Sequence, residues 1–159
     1  MYARDEARIA TPIGMIRLTG DEQRLLSITI GVAADVSRGT YAAVQHAAQQ
    51  IEQWLAGERR DFTIALAPAA TPRGQALRNA MIAIGYGETA SYGELAQRAG
   101  SSPRAVGQAC ARNPFPIVVP CHRVLGAGGA LGHYSGGDGP ATKRWLLEHE
   151  RALHGGTLL

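Results

Sequence analysis

Asn113-Pro114-Phe115-Pro116-Ile117-Val118-Val119-Pro120-Cys121-His122-Arg123-Val124 is an apolar run, broken by prolines, that ends on a thiol and an imidazole. Ile117 to Val119 is uninterrupted and β-branched, the pattern of a short buried strand, and Pro120 ends its ladder by removing a donor hydrogen. Cys121 is therefore expected at a strand end, pinned by its neighbours with its sulfur toward a pocket. His122 beside it could help ionise the thiol, directly or through a water. The adjacency is weak by itself: a lone cysteine commonly serves as a small buried hydrophobe, and neighbouring side chains on a strand point to opposite faces. The complete string sets the stretch apart, and the rest of the chain reads as its support.

Upstream, Ser91-Tyr92-Gly93-Glu94 is a capping box in which serine and glutamate satisfy each other's amides. Leu95 and Ala99 continue that helix and Gly100 ends it. Ser102 and Pro103 open a second helix through Ala105, Val106, Ala109 and Cys110. Two short helices about a tight glycine turn make a helix-turn-helix candidate, although the same unit is a common packing element. Cys110 reads as a packing residue. Earlier still, Thr71 caps a helix begun by Pro72, with Leu77, Ala80, Met81 and Ile84 on its apolar stripe and a stop near Gly85. Downstream, Arg123-Val124-Leu125 and Ala130-Leu131-Gly132 are expected to pair as a hairpin about Gly126 to Gly129. Tyr134 to Pro140 has the composition of a loop able to open and close. Thr142 to Leu153 reads as a last amphipathic helix, with Trp145, Leu146, His149 and Leu153 inward and Glu148 and Glu150 along it.

The first half follows a different pattern. Residues 12 to 32 read as two strands joined by a turn at Gly20, Asp21 and Glu22. From Tyr41 the period becomes helical, with Val44, Ala48, Ile51 and Leu55 on one face, Trp54 broadening it and Gly57 ending it. Phe62 to Leu66 returns to strand, and Ala67 to Pro72 reads as a linker, dividing the chain into domains 1–70 and 71–159. Nothing in the first 66 residues points to chemistry; His46 falls on the polar side of its helix.

A chain of 159 residues can bury a real core. Its net charge of +3 is unevenly placed: residues 1–70 hold seven Arg against eight acids, and residues 71–159 hold eight Arg and Lys143 against five. The basic second half is suited to a polyanion. Two cysteines, Cys110 and Cys121, suit free thiols in a reducing compartment and exclude a disulfide framework. The acidic start, with no apolar core segment, points to a cytoplasmic protein without a signal peptide or membrane span.

Pro120-Cys121-His122-Arg123-Val124, preceded by Asn113-Pro114 and the apolar run, resembles the active-site signature of the O6-alkylguanine-DNA alkyltransferases. The resemblance extends from about Thr71 to Glu150 and more loosely into the first 65 residues. It implies a small ribonuclease H-like α/β domain followed by a mostly α, winged-helix-like domain that binds DNA and accepts the alkyl group. It also implies roles for individual residues. Cys121 would accept the group; His122, oriented by Glu150, would draw its proton through a water; Asn113 would order the turn that holds them. Tyr92 would donate to the leaving guanine or its phosphate. Arg104 would enter the duplex from the minor-groove side and fill the space of a flipped nucleotide, with Ala105, Gly107 and Arg112 on the same DNA-facing segment. Pro116, Val124, Tyr134 and Ser135 would line the base pocket.

Such a protein would act once, as a monomer on double-stranded DNA carrying O6-alkylguanine, or O4-alkylthymine, without metal or organic cofactor. Some members carry a zinc site near the N-terminus, but with no cysteine before Cys110 none is expected here. The chain departs from the family's habits in places. Arg73 and Arg78 stand where aromatic residues are usual, Gly85 where proline is usual, the turn Gly100 to Pro103 is shorter, and Gly137 to Lys143 is longer. Two other readings compete. A lesion-binding protein of the same fold would lack the reactive cysteine, and a Cys-His hydrolase would need an oxyanion-hole glycine pattern not seen at Cys121.

Overall fold

The structure is a computed structural model describing residues 4–156, with side chains to 153. The chain divides into two compact units, one ending at Ala67 and one beginning at Pro68.

The first unit is an antiparallel meander, β1 (Asp5–Thr11), β2 (Gly14–Gly20) and β3 (Leu25–Gly31), in the order β1-β2-β3. β1 adds a strand that the sequence reading did not assign. One face is apolar at period two: Ala7 and Ile9 stand opposite Leu18 and Ile16, and Leu18 and Ile16 opposite Ile28 and Ile30. Helix α1 (Ala42–Leu55) covers that face with Val44, Ala47, Ala48, Ile51 and Trp54, all at 0% exposure. Leu55, expected on the inner face, is half-buried. The helix has no side-chain cap of its own. Asp5 supplies the missing acceptor from β1, taking hydrogen bonds from Thr40 N (2.6 Å) and Tyr41 N (2.8 Å) at the positive end of the helix.

Phe62 to Leu66 does not form the expected strand. Its backbone pairs once, Leu66 with Leu25, and the buried Gln50 amide takes the place of a neighbouring strand, donating to Thr63 O and accepting from Thr63 N at 2.9 Å. A side chain 13 residues away thus consumes the hydrogen bonds that a ladder would have used.

The second unit begins with α2 (Pro72–Ile82), capped by Thr71 Oγ1, which accepts from Gly74 N at 3.0 Å. A two-residue strand β4 (Ala90–Ser91) leads into α3 (Tyr92–Ala99), where the Ser91/Glu94 capping box is complete and Gly100 closes the helix in the left-handed region at φ 65°. Ser102 then caps α4 (Pro103–Ala111) through Ala105 N. These local signals set the ends of both helices of the helix-turn-helix, and burial of Leu95, Ala96, Val106 and Cys110 holds them. β5 (Val124–Leu125) pairs with β4 in parallel, Ala90 against Val124, and this joins the segment after Cys121 to the start of α3.

The expected hairpin at Arg123 to Gly132 is therefore absent: β5 finds its partner at β4. Gly126 N donates instead to Ala130 O at 2.7 Å around a tight turn at Ala127–Gly129. The last helix, α5 (Pro140–Gly156), turns Leu146 inward as expected, but the rest of its inner face differs from the expected one. Thr142, Lys143, Leu146 and Glu150 are buried, while Trp145 and His149 are half-buried and stack on each other at 4.9 Å. Lys143 and Glu150 face in, where each has polar partners. Among the described residues no helix is long and apolar enough to cross a membrane.

Candidate active site and nucleic-acid interface

The segment from Asn113 to Pro120 is a buried loop, not a strand, and Cys121 opens a single 3-10 turn, Cys121–Arg123, not a strand end. Pro114 and Pro116 lack amide hydrogens, which spoils a ladder, and Ile117 reverses the chain at φ +78°. That conformation is costly for a β-branched residue and marks a loop held by its surroundings. The run is apolar because it is buried; without alternation, burial alone does not distinguish strand from loop.

Asn113 is the organiser of this loop. Its Oδ1 accepts from Phe115 N at 3.0 Å, and its Nδ2 donates to Val119 O at 2.9 Å and to Cys121 Sγ at 3.0 Å. Ser135 Oγ in turn donates to Asn113 O at 2.8 Å. One amide therefore both shapes the loop and reaches the sulfur. Cys121 is at 0% exposure, and burial pushes its thiol up to about 11, opposed by the Asn113 hydrogen bond and the positive charge of Lys143. Cys110, also buried, is pushed up to about 12, first by burial and then by Cys121.

His122 and Arg123, on the same turn, both face Glu150 of α5. His122 Nε2 lies 2.8 Å from Glu150 Oε2. Arg123 Nε donates to both carboxylate oxygens at 3.0 Å, and Nη2 donates to Oε2 at 2.7 Å. Burial works against the charge of Glu150, but His122 and Arg123 outweigh it and hold the carboxyl at about 2. Burial lowers His122 in spite of Glu150. A neutral imidazole beside an ionised carboxylate carries its proton on Nε2, which leaves Nδ1 as the basic nitrogen.

Tyr92, the first residue of α3, turns its ring against Gly107 of α4, and its hydroxyl accepts from His133 N at 2.9 Å. Burial raises its pKa, so the phenol keeps its proton. Tyr92 shares a surface groove with Arg104, Gly107, Gln108, Arg112 and His133, and Arg104 and Arg112 are exposed along it. The Ala105 amide is consumed by the Ser102 cap. Of the expected pocket residues, Pro116, Val124 and Tyr134 are buried and Ser135 is exposed. Arg78, standing where an aromatic residue is usual, covers an aromatic one: its guanidinium lies 5.1 Å from the Phe115 ring centroid.

Two charged residues escaped the sequence reading. Arg123 was visible as the residue after the Cys-His pair, but nothing local marks it as buried. Lys143 was noted as the one lysine of the chain; it is at 0% exposure and donates to Val124 O at 2.6 Å and His133 O at 3.1 Å.

The second unit thus joins a helix-turn-helix to a buried thiol that accepts from an amide and is followed in the chain by a histidine paired with a carboxylate. Residues 6–68 match the family described as 6-O-methylguanine DNA methyltransferase, ribonuclease-like domain, and residues 72–152 its DNA binding domain. The methylated-DNA–protein-cysteine methyltransferase of Methanosarcina acetivorans is 40% identical over 88% of this chain and 94% of its own. The constitutive enzyme of that name from Bacillus subtilis is 37% identical over 89% and 92%. The crystal structure of Mycobacterium tuberculosis OGT in complex with DNA matches with a TM-score of 0.80 at 37% identity, covering 93% of each chain. The chain belongs to this family of DNA-repair alkyl-transfer proteins.

Proposed function

We propose that this protein repairs DNA by moving the alkyl group of O6-alkylguanine irreversibly onto Cys121, one group per molecule. The sulfur's setting carries the reading: a wholly buried thiol accepts from Asn113 Nδ2 at 3.0 Å and adjoins a His122–Glu150 pair at 2.8 Å. A structural cysteine has no use for that donor or that pair. Helix α4 lies along the DNA with Arg104 in the minor groove, and Ala105, Gly107 and Arg112 keep the duplex close. Arg104 occupies the space of the extruded nucleotide, stabilising a state that costs a few kcal/mol of stacking and pairing.

The flipped guanine enters between Pro116, Val124, Tyr134 and Ser135. Its alkyl carbon meets Sγ in line. The sulfur–carbon bond forms as the carbon–O6 bond breaks; the thiol proton passes to His122, and the departing guanine takes one from Tyr92. The product thioether does not hydrolyse, so each molecule acts once.

The test is the intact mass of reduced protein after mixing with a duplex containing one O6-methylguanine, followed by peptide mapping. A stoichiometric gain of one methylene on Cys121, lost in Cys121→Ala, is expected. Binding of the duplex with no mass change would refute transfer and make the protein a lesion-recognition module.

A further inference from the structure

Glu150 is surrounded by donors. Oε1 accepts from Arg123 Nε (3.0 Å) and Gly87 N (3.2 Å); Oε2 accepts from Arg123 Nη2 (2.7 Å), Arg123 Nε (3.0 Å) and His122 Nε2 (2.8 Å). Arg123 is itself fixed on its far side, where Nη1 donates to Ile84 O at 2.6 Å and the guanidinium lies 5.6 Å from the Tyr86 ring centroid. Arg123 is 6% exposed and Glu150 1%. A carboxylic acid at this site would aim its own O–H at one of these donors.

We propose that Arg123 is a positioning residue for alkyl transfer: by filling the acceptor sites of Glu150 it stops the relay at His122, so the proton leaving Cys121 rests on the imidazole. The inference rests on the alkyl-transfer reading above. It separates two tasks that a carboxylate beside a histidine could combine, orienting the ring and taking its proton. With Arg123 in place Glu150 performs only the first, stabilising the imidazolium by its charge. The balance of the step is unchanged: sulfur gains the alkyl carbon, His122 gains the thiol proton, and guanine leaves with a proton from Tyr92. Among the described residues, the cluster is also faced by Lys143 of α5, whose charge opposes protonation of His122, by Tyr134, whose hydroxyl feels both Cys121 and Glu150, and by Tyr86, whose ring lies against Arg123. Lys143, an ammonium, has no acceptor to offer Glu150 in exchange for the lost charge.

The test compares wild type, Arg123→Lys and Arg123→Met. One measurement is the single-turnover transfer rate against pH on an O6-methylguanine duplex. The other is a carbon-13 titration of the glutamate carboxyls in the protein without DNA. In the wild type Glu150 should remain ionised well below its ordinary 4.5. Arg123→Lys keeps the positive charge but not the fork, so Glu150 should titrate between the wild type and Arg123→Met, with a transfer rate between theirs. In Arg123→Met burial is opposed by His122 alone, so Glu150 should titrate above its wild-type value. The acid limb of the transfer profile should move up with it, about tenfold in rate per unit on that limb.

A folded Arg123→Met with the wild-type limb and titration overturns the proposal. Should that variant not fold, the wild type decides: a Glu150 that titrates at 4.5 or above in a protein that transfers overturns the role of Arg123 alone. Absence of transfer by the wild type overturns the alkyl-transfer reading, whatever the carboxyl does.

Discussion

Removing the Asn113 side chain should damage the loop and the thiol by separate amounts. Asn113→Ala deletes the acceptor for Phe115 N and the donor to Val119 O and Cys121 Sγ, at a site only 7% exposed. Two buried backbone groups lose their partners, which at about 1–3 kcal/mol each predicts a loss of roughly 2–6 kcal/mol in unfolding free energy. The thiolate loses a donor as well. Hydrogen bonds to charged groups are worth about 1.5–3 kcal/mol, and with sulfur a weak acceptor the lower end applies. That corresponds to about tenfold in transfer rate. Urea unfolding reads the first quantity and single-turnover methyl transfer the second. The pH dependence of Cys121 alkylation by iodoacetamide separates them, because the thiol should rise above its present value of about 11. Asn113→Asp sharpens the test. It keeps the acceptor for Phe115 N but sets a negative charge against the sulfur, so the thiol should move further up than in the alanine variant. An alanine variant with unchanged thiol titration and a transfer rate within twofold of wild type would refute the claim that Asn113 serves the sulfur.

Three more outcomes can be checked. Glu150 is held at about 2 against an ordinary 4.5, so its contribution is present above pH 4.5 and lost as pH falls toward 2. Urea unfolding at stepped pH should show a loss of at most roughly 3 kcal/mol from this group across that window, absent in Glu150→Gln. The two thiols act at the other end: folded values of about 12 for Cys110 and 11 for Cys121 lie above the ordinary 9, so their stabilisation is complete below pH 9 and falls as pH rises through them. Cys110→Ser should flatten the alkaline limb of the thermal melt while leaving methyl transfer to Cys121 intact. Gly132 has φ +71°, and a Cβ there would run into the Tyr92 hydroxyl. Gly132→Ala should therefore cost about 1–3 kcal/mol in backbone strain and slow transfer by displacing Tyr92, read by melting and single-turnover rate.

The chain by itself determined what depends on neighbours in sequence. Thr71 with Pro72, Ser91 with Glu94, Gly100, and Ser102 with Pro103 start and stop three helices where they were expected, because a cap is made by residues three positions apart. The string from Asn113 to Val124 was enough to indicate the family, since it keeps its residue types whatever backbone carries them. Tertiary structure decided what depends on remote partners. An unbroken apolar run reports burial but not conformation, and in Ile117 to Val119 the Asn113 side chain takes Val119 O while Val119 N turns back to Phe115 O, which leaves a loop. β5 joined β4, 34 residues earlier, because the nearer segment closed on itself through Gly126 and Ala130. α5 buried Lys143 and Glu150 in preference to Trp145, a choice no hydrophobic period can encode. A charge goes inside only where its partners wait: Arg123 and His122 lie 27 and 28 residues from Glu150 in the chain and within 3.0 Å of it in the fold.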